Sequence, residues 1–210
     1  RHWKTNIQWG AGYNDGKGST SDAIYRLLNS PEYGLEALLP ILENPLFQQM
    51  ESSLSLRFSY GTATDETLQG GTARDMLMGR AGNDALCFAR GDGQDTIYDY
   101  DMTAGNRDSV QFGTDIDAQA LWFARQGNDL TVHLLYGQQE KISIPNWFVD
   151  TAHQVEEFKL SDGSLLQSTQ VQALVDAMAN MEPQAIEEAD LSEELLQIIG
   201  SCWELPEPGF

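Results

Sequence analysis

The feature that most constrains the fold is a nine-residue repeat that begins at Gly61. Aligned in nines, the chain reads GTATDETLQ from residue 61, GGTARDMLM from residue 70 and GRAGNDALC from residue 79. Two residues later comes RGDGQDTIY, at 90–98, and a degenerate fifth unit, GNRDSVQFG, follows. Each of the first four units has glycine or small residues early, an acid at the sixth position and an aliphatic residue at the eighth.

The sixth and eighth positions of the repeat require different environments. Six residues rich in Gly, Asn and Asp suit a tight turn, and the remaining three suffice for a short strand. Each unit then turns the chain by half a circuit, so that turns on one side come from alternate units. The sixth-position acids are Glu66, Asp75, Asp84 and Asp95, and the eighth-position residues are Leu68, Leu77, Leu86 and Ile97. The degenerate fifth unit keeps the same two-residue separation in Asp108 and Val110.

The acids at the ends of these turns predict calcium sites. Calcium takes six to eight oxygens, and an acid together with the carbonyls of a glycine-rich turn supplies half of such a cage. The turn one coil later supplies the other half, which predicts about two to three ions. The candidate ligands are Glu66, Gly70, Thr72, Asp75, Gly79, Ala81, Asp84, Gly91, Gly93, Asp95, Asp99, Asp101 and Asp108.

Specific pairs follow from this geometry. We expect Asp75 to share an ion with Asp95, and Asp84 to share one with Asp99, Asp101 or Asp108. A site joining Glu66 to Asp84 is the weakest, because the first turn lacks the second glycine. Without metal the carboxylates repel one another, so we expect folding to be coupled to calcium. The alternative is an acidic, turn-rich β-segment that binds no metal.

The nonapeptide resembles the calcium-binding repeat of RTX proteins. The stretch LWFARQGNDL, from residue 121, is similar to the end of the last repeat block in the adenylate cyclase-haemolysin family of toxins. The resemblance implies a parallel β-roll whose open end is closed by a flanking cap needed for calcium-driven folding. We expect the aromatic residues of this flank to pack inside the cap; they are Trp122, Phe123, Trp147 and Phe148.

The predicted fold is mostly β, a short parallel β-roll extended by an antiparallel β cap, with α-helical segments at both ends. Residues 1–59 are interpreted as a loop and helical segment ending a preceding region, with a helical pattern over 21–56. Residues 60–117 form the roll and 118–168 the cap, whose alternating residues predict strands around 130–134, 142–144 and 155–160. Residues 169–210 carry helical patterns at 171–181 and 191–199, the second capped by Asp190.

Charge and motifs narrow the function. The formal net charge of −20 argues against nucleic acid and anionic membranes as partners. Two cysteines build neither a zinc site nor a disulfide framework, although a single Cys87–Cys202 bond stays open. No GxSxG, HExxH or P-loop pattern is present, so we do not expect an enzyme.

The RTX resemblance implies a secreted protein that folds on calcium outside the cell. It also implies that the tail is the signal read by a type I secretion apparatus, although these helices could equally pack on the domain itself. Two alternatives remain open from the sequence. One is a calcium-dependent adhesion module whose partner is a host-cell surface or glycan. The other is the non-catalytic tail of a secreted lipase or protease.

Overall fold

The computed structural model describes residues 56–101, 103–137, 139–179 and 191–206. All of them lie in one compact unit. The helical segment expected over 21–56 lies outside the described residues except at its last position. Within the described part of the chain, no helix is long and apolar enough to cross a membrane.

Six short strands wind into a parallel roll. Strands β1, β3 and β5 pair in parallel in one sheet, and β2, β4 and β6 pair in parallel in the other. Successive units therefore alternate between the two sheets, as the half-circuit turns predict. The bounds of β1 to β6 are Leu56–Tyr60, Thr67–Gln69, Arg74–Met78, Ala85–Phe88, Gln94–Ile97 and Ser109–Phe112.

Strand β1 corrects the expectation of a helical pattern up to Leu56. It pairs with β3 along its whole length, from Leu56 opposite Arg74 to Tyr60 opposite Met78. The sequence LRFSY alternates apolar and polar residues, which is a strand pattern. The leucine-rich sequence before this segment predicts a helix, whereas parallel pairing with β3 makes residues 56–60 a strand.

The eighth-position residues form the narrow core of the roll. Leu77, Leu86, Ile97 and Val110 are at most 1% exposed. Leu68 is only partly buried, because β2 is the edge strand of its sheet. Burying an aliphatic side chain of this size stabilises a fold by about 1.5–3 kcal/mol. The predicted inward column of the repeat is therefore confirmed.

Five further strands close the roll. Strand β9 pairs in parallel with β5, and β10 pairs in parallel with β6, so these two strands add one more coil. The β7–β8 hairpin extends the first sheet beyond β9, and β11 extends the second beyond β10, both by antiparallel pairing. The bounds of β7 to β11 are Leu121–Gln126, Asp129–Leu134, Lys141–Ile144, Glu157–Lys159 and Leu165–Gln167. We call β7 to β11 the cap.

Aromatic rings pack where the cap meets the roll. The ring of Phe158 lies 6.4 Å from that of Phe112 on β6, and 5.5 Å from that of Phe123 on β7. Trp147 approaches the same ring at 5.8 Å. Trp122, Phe123 and Trp147 are at most 2% exposed, which confirms the expected packing role. Phe148 is partly buried, with the Arg125 guanidinium 4.4 Å above its ring.

Two helices complete the core. Helix α1 spans Val171–Met178, and helix α2 spans Glu193–Cys202. Both contribute to the same buried cluster as the cap, through residues such as Leu174 and Ile199. Ser192, rather than the expected Asp190, caps α2, since its side chain accepts a hydrogen bond from the Leu195 N–H. Cys87 and Cys202 are both free thiols.

The Ser192 cap gives a modest stability prediction. Replacing Ser192 with Ala leaves an unsatisfied amide at the start of α2, and should lower the free energy of unfolding by about 1 kcal/mol. Urea unfolding in saturating calcium measures this loss. Ser201→Ala is the matched control, because Ser201 is exposed and its hydroxyl donates to the Ile198 carbonyl within its own helix, away from the start of α2. Equal losses in the two variants would contradict the role of Ser192.

Candidate calcium site

The acid-ended turns stack in two columns, one along each sheet. The first column lies beside β3, β5 and β9, and its acids are Asp75, Asp95 and Glu140. The second column lies beside β2, β4, β6 and β10, and its acids are Glu66, Asp84, Asp108 and Glu156. Asp75 stands next to Asp95, and each acid of the second column stands next to the acid one coil away, as the half-circuit repeat predicts. Glu140 instead contacts Gly91, in the turn before β5.

Backbone hydrogen bonds link the second column. The Glu66 N–H donates to Asp84 Oδ1 at 2.8 Å, and the Asp84 N–H donates to Asp108 Oδ1 at 2.7 Å. The Asp108 N–H continues the series to Glu156 Oε2 at 2.7 Å. Each carboxylate therefore uses one oxygen to hold the neighbouring turn. The second oxygen of Asp84 accepts no hydrogen bond from a described residue, whereas Asp108 Oδ2 accepts one from Asn106 Nδ2 at 2.7 Å.

The first column has the same construction. The Asp75 N–H donates to Asp95 Oδ1 at 2.9 Å. A Cβ placed on Gly70 would lie 2.8 Å from Asp75 Oδ2 and 3.1 Å from Asp95 Oδ2. Two carboxylate oxygens therefore converge on a position that only glycine leaves open. Arg57, which lies opposite Asp75 on β1, places its Nε 3.2 Å from Asp75 Oδ1.

Several buried carboxylate oxygens lack a hydrogen-bond partner. Asp75, Asp84 and Asp95 are each 1% exposed. Asp84 Oδ2 and Asp95 Oδ2 accept no hydrogen bond from any described residue, while Asp75 Oδ1 has its ion pair with Arg57. A buried, unpaired carboxylate costs several kcal/mol, and a coordinated cation removes that cost. The residues present therefore fit a bound metal ion.

Burial also raises the pKa values of these acids. Loss of solvent raises the pKa of Asp95 to about 7, and the nearby charges of Asp75 and Asp92 act in the same direction. Burial likewise raises the pKa of Asp108 to about 6. The pKa of Asp84 is raised by burial, and that of Asp99 is raised well above its usual range for the same reason. Such carboxylates favour any positive charge that can reach them.

Glu66 differs from the other turn-ending acids. Its carboxylate accepts hydrogen bonds from the Thr62 N–H at 2.8 Å and from the Thr64 hydroxyl at 2.9 Å. These bonds, led by those from Thr62, lower the pKa of Glu66. The turn thus satisfies its own acid, in keeping with the expectation that the Glu66–Asp84 pair is the weakest.

Two glycines set the spacing between neighbouring turns. Gly82 has φ +121°, and a Cβ there would lie 2.6 Å from the Thr64 carbonyl oxygen of the preceding coil. Gly93 has φ +91°, and a Cβ there would lie 2.8 Å from the Ala73 carbonyl oxygen and 3.4 Å from that of Thr72. Gly93 and Thr72 were expected at the site. Gly82 was not, although its place in the repeat is a turn position that favours glycine.

The remaining expected ligands lie on the turns with varied exposure. Ala81 and Gly79 belong to the turn before β4, where a Cβ on Gly79 would collide with Asp84 Oδ2. Gly91 is exposed, and its N–H donates to Glu140 Oε1 at 3.2 Å. Of the three partners considered for Asp84, Asp108 is the one that the backbone series joins to it.

Asp99 gathers with two other acids at the end of the second column. Ligand oxygens of Asp99, Asp108 and Glu156 all lie within 4.8 Å of one another. Asp101 lies two residues away, and its Oδ2 is buried and accepts no hydrogen bond from the part of the chain that is described. Asp101 was expected near Asp84, and its charge contributes to the raised pKa of Asp84. Asp99 lies with Asp108, which accepts the Asp84 N–H, and with Glu156.

Sequence reasoning missed Glu140 and Glu156 because they lie outside the nonapeptides. A signal for both was present. In each repeat an acid precedes the buried apolar residue by two positions, and the same spacing joins Glu140 to Ile142 and Glu156 to Phe158. Glu140 is out of register with the acids of the repeat, because Asp95 on β5 pairs with Ile142 on β9 rather than with Glu140. Asp92, buried in the turn before β5, was also missed.

The raised pKa of Asp95 predicts how the calcium-free protein responds to pH. The folded pKa of about 7 exceeds the unfolded value, so the calcium-free fold is stabilised below pH 7 and loses that stability as pH rises. Between pH 8 and pH 5 the gain should be about 2–3 kcal/mol. Circular dichroism in chelator measures it as a gain of β-structure.

Asp95→Asn is the control for this pH response, because it removes the proton that the folded state binds. The groups facing Asp95 are Asp75, Asp92 and Arg57, and they remain in that variant. The contribution of Asp95 should disappear with the carboxyl group, whereas those of Asp99 and Asp108, whose pKa values are also raised, should remain. A calcium-free protein that is less folded at pH 5 than at pH 8 would contradict the prediction.

A parallel roll with stacked turns that end in buried acids is the architecture of calcium-binding β-roll proteins. Residues 60–97 match the family described as the RTX calcium-binding nonapeptide repeat (4 copies). Residues 129–170 match the haemolysin-type calcium binding protein related domain. The chain therefore carries RTX calcium-binding repeats followed by a haemolysin-type related domain, and the resemblance found in its sequence is confirmed.

A curated relative shares part of this region. The chain is 34% identical over 94 residues to the iron-regulated protein FrpA of Neisseria meningitidis serogroup C. The match covers 42% of this chain and 8% of that protein. The chain thus spans a small fraction of the length of the relative.

Proposed function

We propose that this chain is a non-catalytic, calcium-gated folding module of a secreted RTX protein. The chain stays unfolded where calcium is scarce, leaves the cell by a type I secretion apparatus and folds outside, where calcium is abundant. RTX repeat modules are typically non-catalytic calcium-binding regions, and RTX proteins are typically secreted, which supports the non-catalytic, calcium-binding and secreted parts of the proposal.

The observation that carries the proposal is the set of buried, unpaired carboxylate oxygens. Asp84 and Asp95 are each 1% exposed, yet one oxygen of each meets no hydrogen-bond donor among the described residues. With 32 acids against 12 basic residues, the chain has few side-chain cations to offer. The fold therefore depends on a cation from solution.

The donor set favours calcium over magnesium. The sites would combine carboxylates with backbone carbonyls of glycine-rich turns. Calcium accepts six to eight such oxygens in flexible geometry, whereas magnesium demands a near-ideal octahedron. Asp75, Asp95 and the turn at Gly70 would hold one ion, and Asp84, Asp108 and the turn at Gly79 would hold another. The bound ion supplies positive charge between the turns. Extracellular calcium modules bind with dissociation constants of about 10⁻⁴–10⁻³ M, which suits a switch outside the cell.

A calcium titration followed by far-UV circular dichroism and calorimetry tests the proposal. We expect a cooperative coil-to-β transition in calcium and none in magnesium at the same concentrations. Asp75→Ala combined with Asp95→Ala should abolish the transition or shift it to at least about tenfold higher calcium. Asp176→Asn is the matched control, because Asp176 lies on α1 and its carboxylate is held by Gln172 in the same exposed helix turn.

Two results would overturn the proposal. A chain that is fully folded in chelator at neutral pH would show that calcium is not needed for the fold. An equal transition in magnesium would show that the site does not select calcium.

A further inference from the structure

We infer that the cap supplies calcium ligands of its own, Glu140 and Glu156, so that bound metal fastens the cap to the roll. The inference rests on the proposed calcium-binding function of the repeat turns and extends it past the nonapeptides. Neither glutamate lies in residues 60–97, where the repeats match.

Glu156 stands at the cap end of the second column. Its Oε2 accepts the Asp108 N–H at 2.7 Å, so it holds the last repeat turn as Asp108 holds the turn before it. Oxygens of Asp99, Asp108 and Glu156 converge within 4.8 Å. Three carboxylates at this separation repel one another unless a cation lies between them.

Nearby basic side chains are engaged with a different acid. Arg107 Nη1 lies 2.9 Å from Glu157 Oε1, and Lys159 Nζ lies 2.7 Å from Glu157 Oε2. Asp99 is 6% exposed and Asp108 is 1% exposed, so water screens these two acids little, while Glu156 is partly buried. The buried Asp101 Oδ2, unpaired among the described residues, adds a further oxygen close to Asp99 in the chain. The cluster therefore has the charge and the oxygens of a cation site.

Glu140 stands at the cap end of the first column and gives an independent observation. The residue is 5% exposed, and its Oε2 accepts no hydrogen bond within the described ranges. Its Oε1 accepts the Gly91 N–H at 3.2 Å, which links β9 to the turn before β5. A Cβ on Gly137 would collide with Glu140 Oε2, as one on Gly79 would collide with Asp84 Oδ2.

Both glutamates therefore repeat the construction of the turn-ending acids. In each, one carboxylate oxygen accepts a hydrogen bond from an amide of the neighbouring turn. Glu156 lies beside the oxygens of Asp99 and Asp108, and Glu140 lies against Gly137. Because β9 and β10 belong to the cap, an ion at either position binds residues from both sides of the junction between roll and cap. The ligand class is a divalent cation that prefers oxygen, with calcium as the expected ion.

Calcium titration calorimetry on isosteric variants tests the inference. Glu140→Gln and Glu156→Gln should each lose about one ion relative to the unaltered chain, and the double variant about two. Near-UV circular dichroism reports packing of the cap tryptophans, Trp122 and Trp147. Its calcium midpoint should rise at least about tenfold in each single variant.

Glu157→Gln is the matched control, because it makes the same chemical change one residue away at an acid already paired with Arg107 and Lys159. It should keep the ion count of the unaltered chain. If the double variant does not fold at any calcium concentration, the single variants decide the question by the same two measurements.

The outcomes separate this inference from the proposal beneath it. An unaltered chain that shows no calcium transition overturns the proposed function. A normal transition in that chain, with unchanged ion counts and unchanged near-UV midpoints in both single variants, overturns only the role of the cap glutamates.

Discussion

Replacing Phe158 with Ala should remove about 3–5 kcal/mol from the free energy of unfolding of the calcium-bound protein. Phe158 is fully buried, and its ring contacts Phe112 of the roll together with Phe123 and Trp147 of the cap region. The substitution therefore leaves a cavity where the two halves of the core meet. Urea unfolding in saturating calcium, followed by tryptophan fluorescence, measures the loss.

Phe148→Ala is the control for this prediction. Phe148 is only partly buried and lies under the exposed Arg125 side chain, so its loss should cost about 1–2 kcal/mol. Equal losses in the two variants would show that Phe158 has no special role between roll and cap. Such a result would contradict the packing described above.

Replacing Gly93 with Ala should cost far more than replacing Gly91 with Ala. The two glycines have nearly the same backbone angle, φ +91° and φ +90°. A Cβ on Gly93 would lie 2.8 Å from the Ala73 carbonyl oxygen, whereas no described atom lies within 4 Å of a Cβ on Gly91. Both variants carry the cost of a positive φ, about 1–2 kcal/mol, and only Gly93→Ala also forces two turns apart.

We expect a total loss of about 4 kcal/mol for Gly93→Ala, together with a weaker calcium response. The calcium response should weaken because Asp75 and Asp95 can share an ion only while their turns stay close. Calcium titrations of both variants by circular dichroism measure the difference. Equal midpoints would show that the close approach at Gly93 does not matter for metal binding.

The sequence predicted the parts of the fold that follow from local periodicity. The acid and aliphatic positions of the nonapeptides located β2 to β6, and alternating residues located β8 and β9. The pairing of alternate turns followed from the length of the repeat. Each of these conclusions needs only the chain geometry of nine residues, so a single sequence was enough.

Features set by distant partners could not be predicted in the same way. Strand β1 depends on its pairing with β3, and a leucine-rich pattern before it favoured a helix. Ser192 caps α2 in place of the predicted Asp190. Both residue types suit a helix N-cap, so the sequence alone did not decide between them. The Glu156 carboxylate accepts a hydrogen bond from the Asp108 N–H, 48 residues earlier in the chain, so only the closed roll brings these two groups together.

Neighbouring coils of the second column hold each other through hydrogen bonds that run in both directions. The amides of the turn-ending acids are received by carboxylates of the following coil: Glu66 by Asp84, Asp84 by Asp108, and Asp108 by Glu156. In the opposite direction, the Ala85, Ser109 and Glu157 amides donate to the carbonyl oxygens of Glu66, Asp84 and Asp108. A coil that loses its neighbour therefore loses both kinds of bond at once. We expect the roll to gain and lose its order as one unit rather than coil by coil.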